Sequence, residues 1–140
     1  MSRDISSKVI RKVATIDENR STLEAAMVMT EEFIGSMVVT RSSKIIGIFT
    51  ERDLMMRVVG KRKDPENVTI KDVMSESLIT VGPKDSAGYC LNLMKEHRCR
   101  HLLVFAGDEF LGIVSLRDMV TLMLDEKEEL IGHLEKYITS

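Results

Sequence analysis

The chain of 140 residues is written twice. Gly47-Ile48-Phe49-Thr50-Glu51-Arg52-Asp53 returns 65 positions later as Gly112-Ile113-Val114-Ser115-Leu116-Arg117-Asp118. The offset holds without a gap over a long stretch: Thr15 falls on Thr80, Ser21 on Ser86, Met29 on Met94, Glu31 on Glu96 and Val39 on Val104. Self-similarity at a fixed period means that one supersecondary unit occurs twice. A unit of about 60 residues buries too little surface to be comfortably stable alone, so the copies are expected to share their burial.

Each copy reads as β-α-β-β-α. In the first, Val13-Ala14-Thr15-Ile16 predicts a short strand. Ser21, with Glu24 three residues on, has capping-box spacing and opens a helix with apolar positions Leu23, Ala26, Met27 and Ile34, expected to stop before Gly35. Met37-Val38-Val39-Thr40 and Ile45-Ile46-Gly47-Ile48-Phe49 are β-branched runs on either side of the polar Arg41-Ser42-Ser43-Lys44, a hairpin signal. Thr50 then opens a second helix carrying Leu54, Met55 and Val58. The second copy predicts strands at 78–81, 102–105 and 110–114, a helix over 86–97 and another from Ser115. Residues 60–67 are polar, contain Pro65 and read as a linker. Leu130, Ile131, Leu134 and Ile138 form an apolar stripe on a terminal helix rich in Glu and Lys, suited to packing on the body or on a partner. The expected fold is α+β: two such motifs packed sheet against sheet about a pseudo-two-fold axis, plus a C-terminal helix, over 1–66, 67–124 and 125–140. Clefts between packed layers are common ligand sites, and the repeated motif is expected beside one.

Composition narrows the function. Twenty basic against twenty-two acidic residues leave a net charge of −2, so no chain-wide field draws nucleic acid or anionic membrane. No apolar run approaches the roughly 20 residues of a membrane helix, and Met1-Ser2-Arg3-Asp4 leads into no signal-peptide core, so a cytoplasmic protein is expected. Two cysteines are too few for a disulfide framework. With ten Met, four Phe, two Tyr and no Trp, the core is expected to be aliphatic and adaptable.

In the repeated motif a strand delivers the hydroxyl of Thr50 or Ser115 to the mouth of a helix, followed by Arg52 or Arg117 and by Asp53 or Asp118. Free N–H groups and the positive end of the dipole at a helix start stabilise a phosphate. The hydroxyl adds a donor, arginine pairs with phosphate, and an ionised carboxylate suits the hydroxyls of a ribose. The same spacing also describes plain helix capping with nothing bound. Capping requires neither the two arginines nor a glycine three residues before each hydroxyl. The residues alone leave both readings open.

The Gly-hydrophobic-hydrophobic-Thr/Ser-x-Arg-Asp pattern, after a strand pair and repeated once, resembles the cystathionine-β-synthase (CBS) domain pair, or Bateman module, over 9–60 and 71–124. Lys71-Asp72-Val73-Met74 is similar to the family's usual lead-in, and Arg100-His101-Leu102-Leu103-Val104 to its third-element strand. The resemblance implies a non-catalytic regulatory module of small stand-alone type. Its expected ligand is an adenine nucleotide, AMP foremost, with ADP, ATP and S-adenosylmethionine as further candidates. It also implies a homodimer acting on an unidentified protein, in the manner of an energy or metabolite sensor. By the same resemblance Asp53 and Asp118 hold ribose, and Thr50 and Ser115 hold phosphate. Backbone around Thr15-Ile16 and Thr80-Val81, with Met37-Val38 and Leu102-Leu103, lines adenine slots, and His101 meets a phosphate. Val38 and Leu103 stand where the family often has proline. Gly35 and Ser36 stand where the second copy has Arg100 and His101, so the two sites are expected to differ in anion affinity, with at least one functional.

Other constellations are weaker. Cys90, His97, Cys99 and His101 suggest zinc by residue type, but the repeat aligns Cys90 with Ala25 and Cys99 with Ile34, as small core residues. Lys61-Arg62-Lys63, with Arg57 upstream, is followed at once by Asp64 and Glu66 with no aromatic nearby, which reads as a solvated linker rather than a nucleic-acid patch. Met119 and Met123 read as core. There is no Gly-x-Gly-x-x-Gly, no Walker loop and no nucleophile with an evident base, so no enzyme is expected. A ligand-independent adaptor that dimerises and binds a protein is the alternative.

Overall fold

The computed structural model describes residues 4–76 and 78–139. The chain forms two compact units, one of Val13–Leu78 and one of Met1–Lys12 with Ile79–Ser140. In the first, β1 (Thr15–Asp17) runs parallel to β2 (Ser36–Arg41), which pairs antiparallel with β3 (Lys44–Thr50). In the second, β4 (Thr80–Val81), β5 (His101–Ala106) and β6 (Glu109–Ser115) repeat that arrangement. Both sheets carry an irregularity at the same place, after Val39 and after Val104.

Local chemistry explains the element ends. α1 (Thr22–Glu32) and α4 (Ala87–His97) begin at Ser21 and Ser86, whose hydroxyls accept from the N–H groups of Glu24 and Tyr89. Both stop at a non-glycine residue in the left-handed region, Phe33 (φ 54°) and Arg98 (φ 53°), so α1 ends short of Gly35. Ser42 and Ser43, at φ 49° and 66°, supply the positive φ pair that a tight hairpin needs.

The buried face of α1 is Thr22, Ala25 and Met29, one step round from the expected stripe, and Met27 is 62% exposed. Thr22 is kept inside because its hydroxyl donates to the Pro65 carbonyl at 2.8 Å. Met119 is buried as expected, whereas Met123 is 40% exposed. Glu18, buried, accepts from Arg41 Nε at 2.9 and 3.0 Å and from its Nη2 at 2.8 Å, an ion pair whose positions in the second unit are Pro83 and Ala106.

The repeat extends further back than β1. A 3-10 turn, Ile5–Lys8, and α3 (Ile70–Val73) are copies of one segment at the same offset, and Ile5 and Ile70 are both wholly buried. Ile5 N–H donates to Asp85 O and Ile70 N–H to Arg20 O, again equivalent pairs. Each segment joins the other copy's unit. Ile5 packs with Val81, Leu102 and Val114, and Ile70 with Ile16, Met37 and Phe49. Each then bridges β-fashion to the last strand of its host, Ile10 with Ile113 and Ser75 with Ile48. The motif glycines make room for this crossing. A Cβ on Gly112 would stand 2.2 Å from Ile10 O, and one on Gly47 2.7 Å from Ser75 O.

The second helices differ. α2 (Glu51–Asp53) passes into a π-helical stretch at Leu54–Val58 and a 3-10 turn at Val59–Lys61. α5 (Leu116–Thr139) is one helix of 24 residues. The expected terminal helix is its continuation, because Leu124-Asp125-Glu126-Lys127 holds no glycine or proline to interrupt it.

Candidate functional site

The sequence-predicted residues gather at the strand-to-helix junction of each unit. In the first, Ser36 stands opposite Thr50 across β2 and β3, Met37 opposite Phe49, and Thr15 beside Val38. Met37, Val38 and Ile16 are buried and Thr15 is exposed. The Val38 N–H already donates to Ala14 O at 3.0 Å. Thr50 and Asp53 close on each other. Asp53 N–H donates to Thr50 Oγ1 at 3.2 Å, and Thr50 N–H donates to Asp53 Oδ2 at 3.0 Å, a complete capping box. Arg57 Nε lies 3.8 Å from Asp53 Oδ1, and its Nη1 donates to Val73 O at 3.0 Å. Arg52 is exposed, its Nε 3.3 Å from Met56 Sδ. Here Thr50 and Asp53, but not Arg52, serve the helix start, as capping requires.

The second junction is built from equivalent residues and ends differently. His101 stands opposite Ser115 across β5 and β6, Leu102 opposite Val114, and Thr80 beside Leu103. Val81, Leu102 and Leu103 are buried, Thr80 and Arg117 exposed, and His101 and Ser115 half-buried. Asp118 N–H donates to Ser115 Oγ at 3.1 Å, so the hydroxyl caps α5 as in the first unit. The half-buried Asp118 carboxylate, however, has no hydrogen bond or ion pair among the described residues. One difference goes with this: the position of Arg57 is taken by Leu122, 1% exposed and in the core, so no cation stands one turn on. The first-turn donors do not distinguish the junctions, because Leu116 N–H donates to Arg100 O at 2.8 Å just as Glu51 N–H donates to Gly35 O at 3.0 Å.

Elsewhere, a shallow hollow of about 440 Å³ lies along Leu23, Ala26, Met27, Thr30 and Glu31 of α1 and contains none of the predicted ligand residues. No group of three or more His, Cys, Asp or Glu suited to a metal occurs among the described residues. No helix among them is long and apolar enough to cross a membrane. Burial pushes the Cys90 thiol up to about 11, helped by the Asp85 carboxylate, and burial also raises Cys99. Sequence reasoning took Arg57 only as a cation upstream of the basic run 61–63 and missed its place beside Asp53. Its signal was an arginine four residues after Asp53 where the second copy has an apolar residue.

Two β-α-β-β-α units, each carrying a hydroxyl-arginine-carboxylate junction between its last strand and its second helix, define a tandem-repeat α+β class of fold. Comparison with known proteins agrees, since the CBS domain profile matches at residues 3–60 and again at 70–132. The chain belongs to the CBS domain family. It is 30% identical over 120 residues to a mitochondrial CBS domain-containing protein of Arabidopsis thaliana, an alignment covering 82% of this chain and 58% of that protein. It is 36% identical over 112 residues to an uncharacterized protein of Methanopyrus kandleri, covering 79% of this chain and 57% of that one. The chain thus spans little more than half the length of these curated relatives. A solved structure of a protein with CBS domains from Burkholderia ambifaria is similar at 32% identity and a TM-score of 0.78, over 82% of this chain and 85% of that one.

Proposed function

We propose that this chain is a non-catalytic regulatory CBS pair that binds an adenine nucleotide of the AMP type, chiefly through its second unit. It acts as a cytoplasmic homodimer on a protein partner. The observation that carries the reading is the unengaged, half-buried Asp118 carboxylate at the N-terminus of a 24-residue helix, with Ser115 and His101 paired beside it. A carboxylate with no partner among the described residues is available to a ribose, and the helix start with Arg117 offers positive potential to a phosphate. In the first unit the same carboxylate is taken by Thr50 N–H and Arg57, so nucleotide entering there must first displace local bonds. Ligand alters the protein's output only insofar as it binds one arrangement better than another.

The test is a thermal-unfolding panel with AMP, ADP, ATP, S-adenosylmethionine and NAD. A ligand at a hundred times its Kd stabilises by about 2.7 kcal/mol, a clear rise in Tm. The expected result is a rise with at least one adenosine ligand that Asp118→Ala removes and Asp53→Ala largely keeps. No rise with any of them, in a chain that still dimerises, favours the ligand-independent adaptor.

A further inference from the structure

The second half of α5 presents a row of apolar side chains to solvent. Leu130, Ile131, Leu134, Tyr137 and Ile138 are 59%, 47%, 53%, 83% and 79% exposed, and the row continues back through Leu124 and Met123. At 100° per residue these positions fall within one arc of about 140°, a single face wider than a two-per-heptad seam. From Val120 to Ile138 the face runs about 27 Å along the helix. A monomer that leaves such a face wet forfeits its burial.

We propose that this face packs antiparallel against the same face of a second copy of the chain. Two observations select that occupant. The first is area: seven exposed apolar side chains from Met123 to Ile138, at on the order of 100 Å² each, bring roughly the 800 Å² per partner that a standard interface takes. The second is the single charge in the middle of the arc, Lys127. Parallel pairing would set Lys127 against its own copy in an apolar seam, a costly contact. An antiparallel pair centred near residues 129–131 carries the two lysines past each other. Each then lies alongside the second copy's 131–135 turn, whose Glu135 flanks the face and complements the charge. The inference rests on the homodimer reading above and is independent of the ligand.

The test uses the full chain. Sedimentation equilibrium is expected to show a dimer whose Kd rises at least about tenfold in Leu130→Glu with Leu134→Glu, while circular dichroism and cooperative melting show the variant folded. In a Cys99→Ala background, Leu124→Cys and Ile138→Cys variants are treated with a short bismaleimide alone and mixed. Antiparallel pairing gives cross-links only in the mixture. Self-links in each variant alone mean parallel pairing and overturn the proposal. A dimer that gives no cross-link and is not weakened by the glutamates overturns this interface but leaves the homodimer standing. A monomer at tens of micromolar overturns both.

Discussion

The two strand-to-helix junctions start from nearly the same seven residues and end in different states. At Thr50 the carboxylate is folded back onto its own helix start and held by Arg57, and the helix beyond loosens into π and 3-10 turns. At Ser115 the hydroxyl caps, the carboxylate is left open, and the helix continues for 24 residues. The residue one turn beyond the aspartate differs sharply in chemistry, Arg57 against Leu122. An arginine there draws the aspartate inward and reaches across to the carbonyls of Val73 and Met74. A leucine there joins the core and leaves the aspartate to other partners. Whether the motif carboxylate is closed onto the helix start or left open thus goes with a neighbour outside the motif.

The largest contrast lies not at the carboxylates but at the glycines before them. Gly112 has φ 153° and faces Ile10 O at 2.2 Å from where a Cβ would stand, so Gly112→Ala meets backbone that cannot yield and a conformation alanine resists. It is expected to cost about 4 kcal/mol or more. Gly47→Ala meets Ser75 O at 2.7 Å and the flexible Met74 Sδ at 2.9 Å, without the positive φ, and is expected to cost roughly 1–3 kcal/mol. Urea unfolding of the two variants ranks them. Equal losses would mean that the crossing segments are held alike and would remove this asymmetry.

A smaller effect separates the carboxylates themselves. Asp53→Ala removes the acceptor of the Thr50 N–H and the Arg57 ion pair, and is expected to cost about 1 kcal/mol. Asp118→Ala removes no bond among the described residues and is expected to stay within about 0.5 kcal/mol. Denaturation midpoints without ligand check this. A larger loss at Asp118 than at Asp53 would reverse the assignment of closed and open junctions.

Much of the fold was legible because it depends on local chemistry. Ser21 and Ser86 cap their helices, the polar tetrad after Thr40 is a tight hairpin, and the strand pairs follow their β-branched runs. The exchange of the 5–10 and 70–75 segments was not legible. The same offset equates Ile5 with Ile70, but a repeat states which residues are equivalent and not which sheet each joins, and sequence neighbours usually pack together. That exchange also reassigns the motif glycine. Its presence spoke for a ligand on sequence grounds, and the structure gives it a backbone to accommodate instead. At the site the residue types and their spacing were readable, whereas the engagement of Asp53 and the openness of Asp118 were not, because they turn on side chains a full helical turn away.

The smallest effect compares one helix position in the two units. Cys90 of α4 is wholly buried where α1 has Ala25, and burial with the Asp85 carboxylate pushes its thiol from 9.0 up to about 11. A group that is neutral when protonated and whose pKa is raised on folding gives stability that is whole below the unfolded value. That stability falls as the pH climbs from 9 toward 11, because the unfolded chain ionises first. Cys90→Ala, which writes the first unit's residue into the second, has no such dependence. The stability gap between wild type and variant is therefore expected to shrink with alkalinity, by less than about 1 kcal/mol at pH 9.5 relative to neutral pH. Chemical unfolding of both proteins at the two pH values measures the gap. A constant gap would place the Cys90 thiol in contact with water and count against a dry core on that side of α4.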